Sequence, residues 1–117
     1  MIELYGIPNC DTVRKARKWL DAQGVHHVFH DYKKDGAHRG KLAAWSNAVG
    51  WEALLNRRGT TFRNLPDADK VDIDRAQAIA LMIANPSLIK RPVVEYEGGI
   101  LVGFDEARWA KTLAQPT

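Results

Sequence analysis

The chain has 117 residues, a formal net charge of +3, 45% apolar residues, four tryptophans and one cysteine. That length and apolar share fit one globular domain, and a charge this mild, carried by dispersed Lys and Arg, does not point to nucleic acid on its own. No apolar run approaches the roughly 20 residues of a membrane span, no basic leader with a long apolar stretch opens the chain, and a lone cysteine forms no intrachain disulfide, so the cytoplasm is the expected compartment and monomer the default state.

Residues 2–5 predict a strand, and residues 11–23 predict a helix whose Val13, Ala16 and Leu20 recur at helical spacing with Trp19 widening the stripe. Gly24 supplies a stop, and residues 25–32 predict a second strand. Lys33 to Arg39 is expected as a polar loop. A helix from about 40 to 48 should then bury Leu42, Trp45 and Val49, with Gly50 breaking it and a short helix running from Trp51 to Asn56. Residues 72–84 predict the clearest later helix, with Ile73, Ala76, Ile79, Ala80 and Ile83 on one face and Asn85-Pro86 as its end. Strands at 93–96 and 100–103 flank Glu97, Gly98 and Gly99, a hairpin signal. Asp105 can cap a final helix through about Leu113, and the tail 115–117 is expected to fray. The order β-α-β, helices, β-β-α implies an α/β fold with a mixed sheet, parallel at the start and antiparallel in the final hairpin.

Cys10 is the chemical focus. It falls between a turn containing Pro8 and Asn9 and the first turn of a helix, where free N–H groups and the positive end of the helix dipole favour a thiolate. The stripe Val13, Ala16, Leu20 continues without it. Position 13 is Val, so there is no dithiol motif, and an oxidised Cys10 can be resolved only by an external thiol, for which glutathione is the abundant cytoplasmic candidate. Arg91 precedes Pro92 at a strand entrance, a place where a cis bond would bend the chain towards the thiol and where a guanidinium could hold an oxyanion; an ordinary trans proline beside a surface arginine is the alternative. Arg58, Gly59, Thr60 and Thr61 could make a small anion site, although a helix cap is the simpler reading for the threonines. His26, His27 and His30 lack a completing ligand set and read as strand residues, so no metal is expected. Trp19, Trp45, Trp51 and Trp109 read as packing residues.

Four segments together, Tyr5–Ala16 (YGIPNCDTVRKA), Leu54–Arg63 (LLNRRGTTFR), Pro86–Val94 (PSLIKRPVV) and Gly99–Phe104 (GILVGF), resemble the arsenate reductase-like family (ArsC/Spx), closest to its YffB-type branch. The resemblance covers nearly the whole chain. It implies a single thioredoxin-like domain over 1–117 with a helical insertion at about 38–85, and it makes Arg91-Pro92 the cis-proline junction opposite the active cysteine. By motif position Cys10 matches the nucleophile, Arg91 one anion-binding arginine and Arg58, beside Arg57, a second; Asn9, Asp11, Thr12 and Pro92 are assigned to shaping the site. In the family, glutathione or glutaredoxin completes the cycle. The expected function is a glutathione-dependent thiol-disulfide reductase with no tightly bound cofactor, acting on a glutathionylated or disulfide substrate. The alternatives are arsenate reduction, for which the stretch Leu101–Asp105 lacks the arginine that the resemblance leads one to expect, and an Spx-like regulator that binds RNA polymerase, for which Val13 removes the usual second cysteine.

Overall fold

The computed structural model describes residues 2–113. Their element order is β1 (Ile2–Gly6), α1 (Asp11–Ala22), β2 (His27–Asp31), α2 (Tyr32–Asp35), α3 (Arg39–Val49), α4 (Trp51–Leu54), α5 (Thr60–Arg63), α6 (Asp67–Lys70), α7 (Arg75–Ala84), a 3-10 turn (Pro86–Leu88), β3 (Val93–Tyr96), β4 (Gly99–Val102) and α8 (Glu106–Leu113). The chain divides into two compact units, one built from its two ends, up to Asp35 and from Arg91 onward, and the other from Gly36–Lys90.

The first unit holds a four-stranded mixed sheet in the order β2-β1-β3-β4. β1 runs parallel to β2, with Leu4 opposite Phe29, and antiparallel to β3, with Leu4 opposite Val94; β3 and β4 form the predicted hairpin, with Val94 opposite Leu101. A period of two puts Leu4, Val94 and Leu101 on one face. There they join Val13, Ala16 and Leu20 of α1 and Trp109 and Leu113 of α8 in one buried cluster. The stripe read from the sequence is therefore the buried face of α1. Trp109 lies edge-on to both Trp19 and Phe104, with centroids 6.1 and 4.8 Å apart. Asp105 caps α8 as expected, its Oδ1 accepting the Arg108 N–H at 3.1 Å.

β2 ends one residue earlier than expected. The Asp31 side chain accepts the N–H groups of Lys33 and Lys34, at 2.8 and 3.3 Å, and so starts the helical turn α2 where a loop was predicted. This is local side-chain competition with the strand ladder. It turns Tyr32 into a buried residue at 2% exposure. Gly24 adopts φ +71°, the left-handed conformation that ends α1.

In the second unit α3 packs on α4 and α7, and α7 on the 3-10 turn. Leu55 bridges Ile89, and Lys90 N–H donates to the Leu54 carbonyl at 2.8 Å. Three expectations are corrected here. Val49 is exposed, and Ser46 takes the inward place beside Leu42 and Trp45. α7 begins at Arg75, because Asp74 accepts the Gln77 N–H at 2.8 Å and caps it. Its buried residues are Ala78, Ile79, Leu81 and Met82, while Ala76 and Ala80 face solvent, so the predicted face was rotated towards the larger side chains. The third concerns the threonines. Gly59 is the cap of α5 and Thr60 and Thr61 lie inside its first turn, so neither hydroxyl is the cap. The tail 115–117 lies outside the described residues. No helix among those described is long and apolar enough to cross a membrane.

Candidate active site

β1 delivers the chain to a turn at Ile7–Asn9, and Cys10 then takes the N-cap position of α1 in an extended conformation (φ −120°, ψ 125°). Its backbone carbonyl accepts the Arg14 N–H at 2.9 Å and starts the helix. The side chain is half-buried against the cluster of Leu4, Val13 and Trp109, so one side of the sulfur is apolar and the other is open. The approach of β1 to α1 is close. A Cβ on Gly6 would meet Val13 Cγ2 at 2.8 Å, so only glycine fits below the first turn.

Partial burial pushes the Cys10 thiol up. It is outweighed by the Val13 N–H, a hydrogen bond from the Arg91 guanidinium, the Thr12 N–H and the Arg91 charge, which together hold the thiol below its ordinary value. The cysteine side chain makes no conventional capping hydrogen bond; the two N–H groups act on it as dipoles directed at a developing thiolate. Arg91 is brought there by β3. The Arg91-Pro92 bond is cis, and Pro92 is buried. The Pro92 carbonyl accepts the Gly103 N–H at 2.8 Å, and the Gly103 carbonyl accepts the Trp109 indole N–H at 3.0 Å, which ties the junction to the loop before α8.

Of the predicted site residues, the structure brings together Cys10, Thr12, Arg91 and Pro92. Asn9 is exposed in the turn, and the exposed Asp11 pairs with Arg14. Arg58 belongs to the second unit. Its N–H donates to Asn56 Oδ1 at 3.1 Å, and it lines a cavity of about 390 Å³ with Glu52, Asn56, Arg57 and Lys90. Arg57 lines the same cavity with its guanidinium 5.2 Å from the Trp51 ring centre. The histidines have local partners: His30 Nε2 lies 3.1 Å from Glu3 Oε1, and the His30 ring stacks on Tyr5 at 4.5 Å. His27 Nδ1 lies 3.3 Å from the Val25 carbonyl. Among the described residues no group of three or more His, Cys, Asp or Glu side chains converges on a metal position.

One residue near the site was missed from sequence. Tyr32 stacks beside Tyr5 at 6.4 Å, and Tyr5 donates its hydroxyl to Glu95 Oε1 at 2.9 Å. Burial pushes the Tyr32 phenol far up, against the field of Arg91, so it stays neutral. The signal that could have located it was Asp31, whose cap turns the chain inward at the next residue.

A model of the ArsC family matches residues 5–112. The chain belongs to the ArsC family. This ArsC-family chain is 53% identical to a YFFB protein of solved structure, covering 97% of this chain and all of that one with a TM-score of 0.94. An arsenate reductase (ArsC) related protein from Brucella melitensis is 46% identical over 97% of this chain and 95% of its own, with a TM-score of 0.77. A global transcriptional regulator Spx from Streptococcus pyogenes is 30% identical over 91% of this chain and 80% of its own. The mixed sheet with its flanking helices is thus the thioredoxin-like fold of ArsC-family chains, as the sequence resemblance implied.

Proposed function

We propose that the protein is a single-cysteine thiol-disulfide reductase that uses glutathione as co-substrate, with Cys10 as nucleophile. The reading rests on one observation above all: the only thiol of the chain stands at the N-cap of α1, where two backbone N–H groups and the Arg91 guanidinium hold it below its ordinary value. In the first step the Cys10 thiolate attacks the glutathione sulfur of a mixed disulfide. A Cys10–glutathione disulfide forms, the substrate S–S bond breaks, and the substrate leaves as a thiolate that takes a proton from water. A second glutathione thiolate then attacks the glutathione sulfur of the adduct. Oxidised glutathione departs and Cys10 returns as thiolate. In net terms one glutathione thiol and the mixed disulfide give the free substrate thiol and oxidised glutathione, with no metal or nucleotide in the scheme.

Arg91 has two roles in this proposal. It stabilises Cys10 as the attacking thiolate and again as the leaving group, since a thiol of lowered pKa leaves faster. Its planar fork also suits a carboxylate of glutathione. Asn9, Asp11, Thr12 and Pro92 shape the approach to the sulfur. Glutaredoxin is an alternative reductant for the adduct. The absence of a second thiol from the chain supports an external resolving thiol over an internal dithiol switch.

Parallel steady-state assays test the reading, with a glutathionylated peptide or arsenate as oxidant and glutathione as reductant. Reduction of the mixed disulfide that vanishes in Cys10→Ser is the expected result. Arsenate turnover far above disulfide turnover would assign the site to arsenate. Capture of RNA polymerase unchanged by Cys10→Ser, without thiol turnover, would assign the chain to Spx-like binding.

A further inference from the structure

A second concave feature lies on the first unit, away from the sulfur. α1 and the chain leading into α8 border a shallow, open cleft of about 310 Å³, lined by Lys15, Lys18, Trp19, Ala22, Phe104 and Glu106. That volume is near the lower end for small-molecule sites. Lys15 to Ala22 lie five to twelve residues beyond Cys10, roughly 8–18 Å along the axis at the helical rise. The walls are the half-buried rings of Trp19 and Phe104, with centroids 6.3 Å apart and planes at 57°. Two tilted rings form an apolar corner that suits a third flat or branched group. The small side chain of Ala22 leaves this corner open.

The rim is charged. Lys15 and Lys18 are three residues apart and therefore neighbours on one helix surface. Neither ammonium has an ion pair or hydrogen bond among the described residues, and the same holds for the Glu106 carboxylate and the Trp19 indole N–H. The contrast with the rest of α1 is informative, because Arg14 is paired with Asp11 and Arg17 lies over the Phe29 ring at 4.3 Å. The cleft thus combines an apolar corner, three donors and one carboxylate.

From this combination we infer that the cleft binds a small apolar monocarboxylate, a body of about one ring bearing a single acid group. The body sits between Trp19 and Phe104, and the acid is held by Lys15 and Lys18 with the Trp19 N–H as a further donor. Two cations against one anion leave a net charge of +1 at the rim, which one carboxylate neutralises. A second acid group would meet Glu106, so dicarboxylates are disfavoured. The cleft has room for a ring and a short tail, which favours a free small acid over a longer chain. Binding here does not require Cys10 and goes beyond the thiol chemistry proposed above.

The test uses the intact protein labelled with nitrogen-15 and 3-phenylpropionate as probe. Saturable shifts of the Trp19 indole N–H and of the Ala22 and Glu106 amides are expected. Replacing both lysines, Lys15→Gln with Lys18→Gln, should weaken binding about tenfold, as the loss of two exposed charge contacts would. Ala22→Leu should abolish binding by filling the corner, and neutral 3-phenylpropanol should bind more weakly than the acid. All three positions are exposed, and thermal melting and the Cys10 alkylation rate should stay as in the parent. The proposal is overturned if no saturable shift appears at millimolar probe, if the shifts centre on Cys10 and Arg91, or if the lysine variant binds as the parent does. The lysine pair alone decides the matter should Ala22→Leu fail to fold.

Discussion

The first turn of α1 and the cleft along its later turns both place cations beside an open space, but they do so differently. At the first turn one guanidinium, arriving on a strand from the far end of the chain, acts on one atom together with two fixed backbone dipoles. At the cleft two ammoniums on flexible stems border an apolar corner and act on no group of the protein. The difference is one of preorganisation. Fixed donors facing a single sulfur suit chemistry, because their orientation costs nothing when charge develops. Mobile charges around an apolar wall suit reversible binding.

The largest test of this contrast is Cys10→Ser. Disulfide reduction should fall to background, while probe binding at the cleft and the melting temperature should change little. Loss of cleft binding in this variant would merge the two regions into one. Next comes Gly6→Ala. Its methyl has only a β-branched, fully buried Val13 to push against, so overpacking should lower stability by about 1–3 kcal/mol and slow Cys10 alkylation by displacing the first turn. Urea unfolding and thiol kinetics measure both effects, and unchanged stability would mean the close approach relaxes without strain.

Arg91→Ala should shift the pH profile of Cys10 alkylation towards that of an ordinary thiol, near pH 8.5. Arg91→Lys should restore part of the shift, since a charge remains but the fork is lost. In the parent protein the profile should hold below the ordinary thiol value and fall only as pH drops through the depressed folded-state value. The matching stability sign is that of a depressed acid: the contribution is present above the unfolded-state pKa and is lost as pH falls through the folded one. A parent profile already centred on the ordinary value would remove the guanidinium from the argument.

The smallest effect concerns Tyr32. Its phenol is raised by burial, so its contribution is present below the unfolded-state value of about 10 and fades as pH rises beyond it. Tyr32→Phe should extend stability to higher pH and leave neutral-pH thiol reactivity nearly unchanged. Denaturant melts across the alkaline range measure this, and an identical alkaline limit in both proteins would show that another group sets it.

The sequence was most legible where one residue pattern had one structural outcome. α1 buries the Val13, Ala16 and Leu20 stripe, the hairpin forms across Glu97 and Gly98, and Asp105 caps α8. The position of Cys10 at the head of α1 was also readable, whereas the residue pattern left the bond before Pro92 open and only the family resemblance implied the observed cis form. The helices of Gly36–Lys90 were harder. α7 is apolar nearly all round, so alternative faces satisfied the helical period, and the choice fell to Leu81 and Met82, whose size the periodicity ignored. Tyr32 was hidden because an Asp31 side-chain cap, not an apolar pattern, ends β2. The aromatic cleft was invisible for another reason: it joins Lys15–Ala22 to Phe104 and Glu106, an adjacency that only the folded chain creates.

The central strand β1 has its parallel neighbour nearby in sequence and its antiparallel one at the far end; Tyr5 and its hydrogen-bond partner Glu95 are 90 residues apart. During synthesis, which proceeds from the N-terminus, the thiol leaves the ribosome well before the guanidinium that activates it. The nascent chain therefore first carries Cys10 with only the N–H groups of α1 to lower its pKa, and the share contributed by Arg91 arrives only when β3 inserts beside β1.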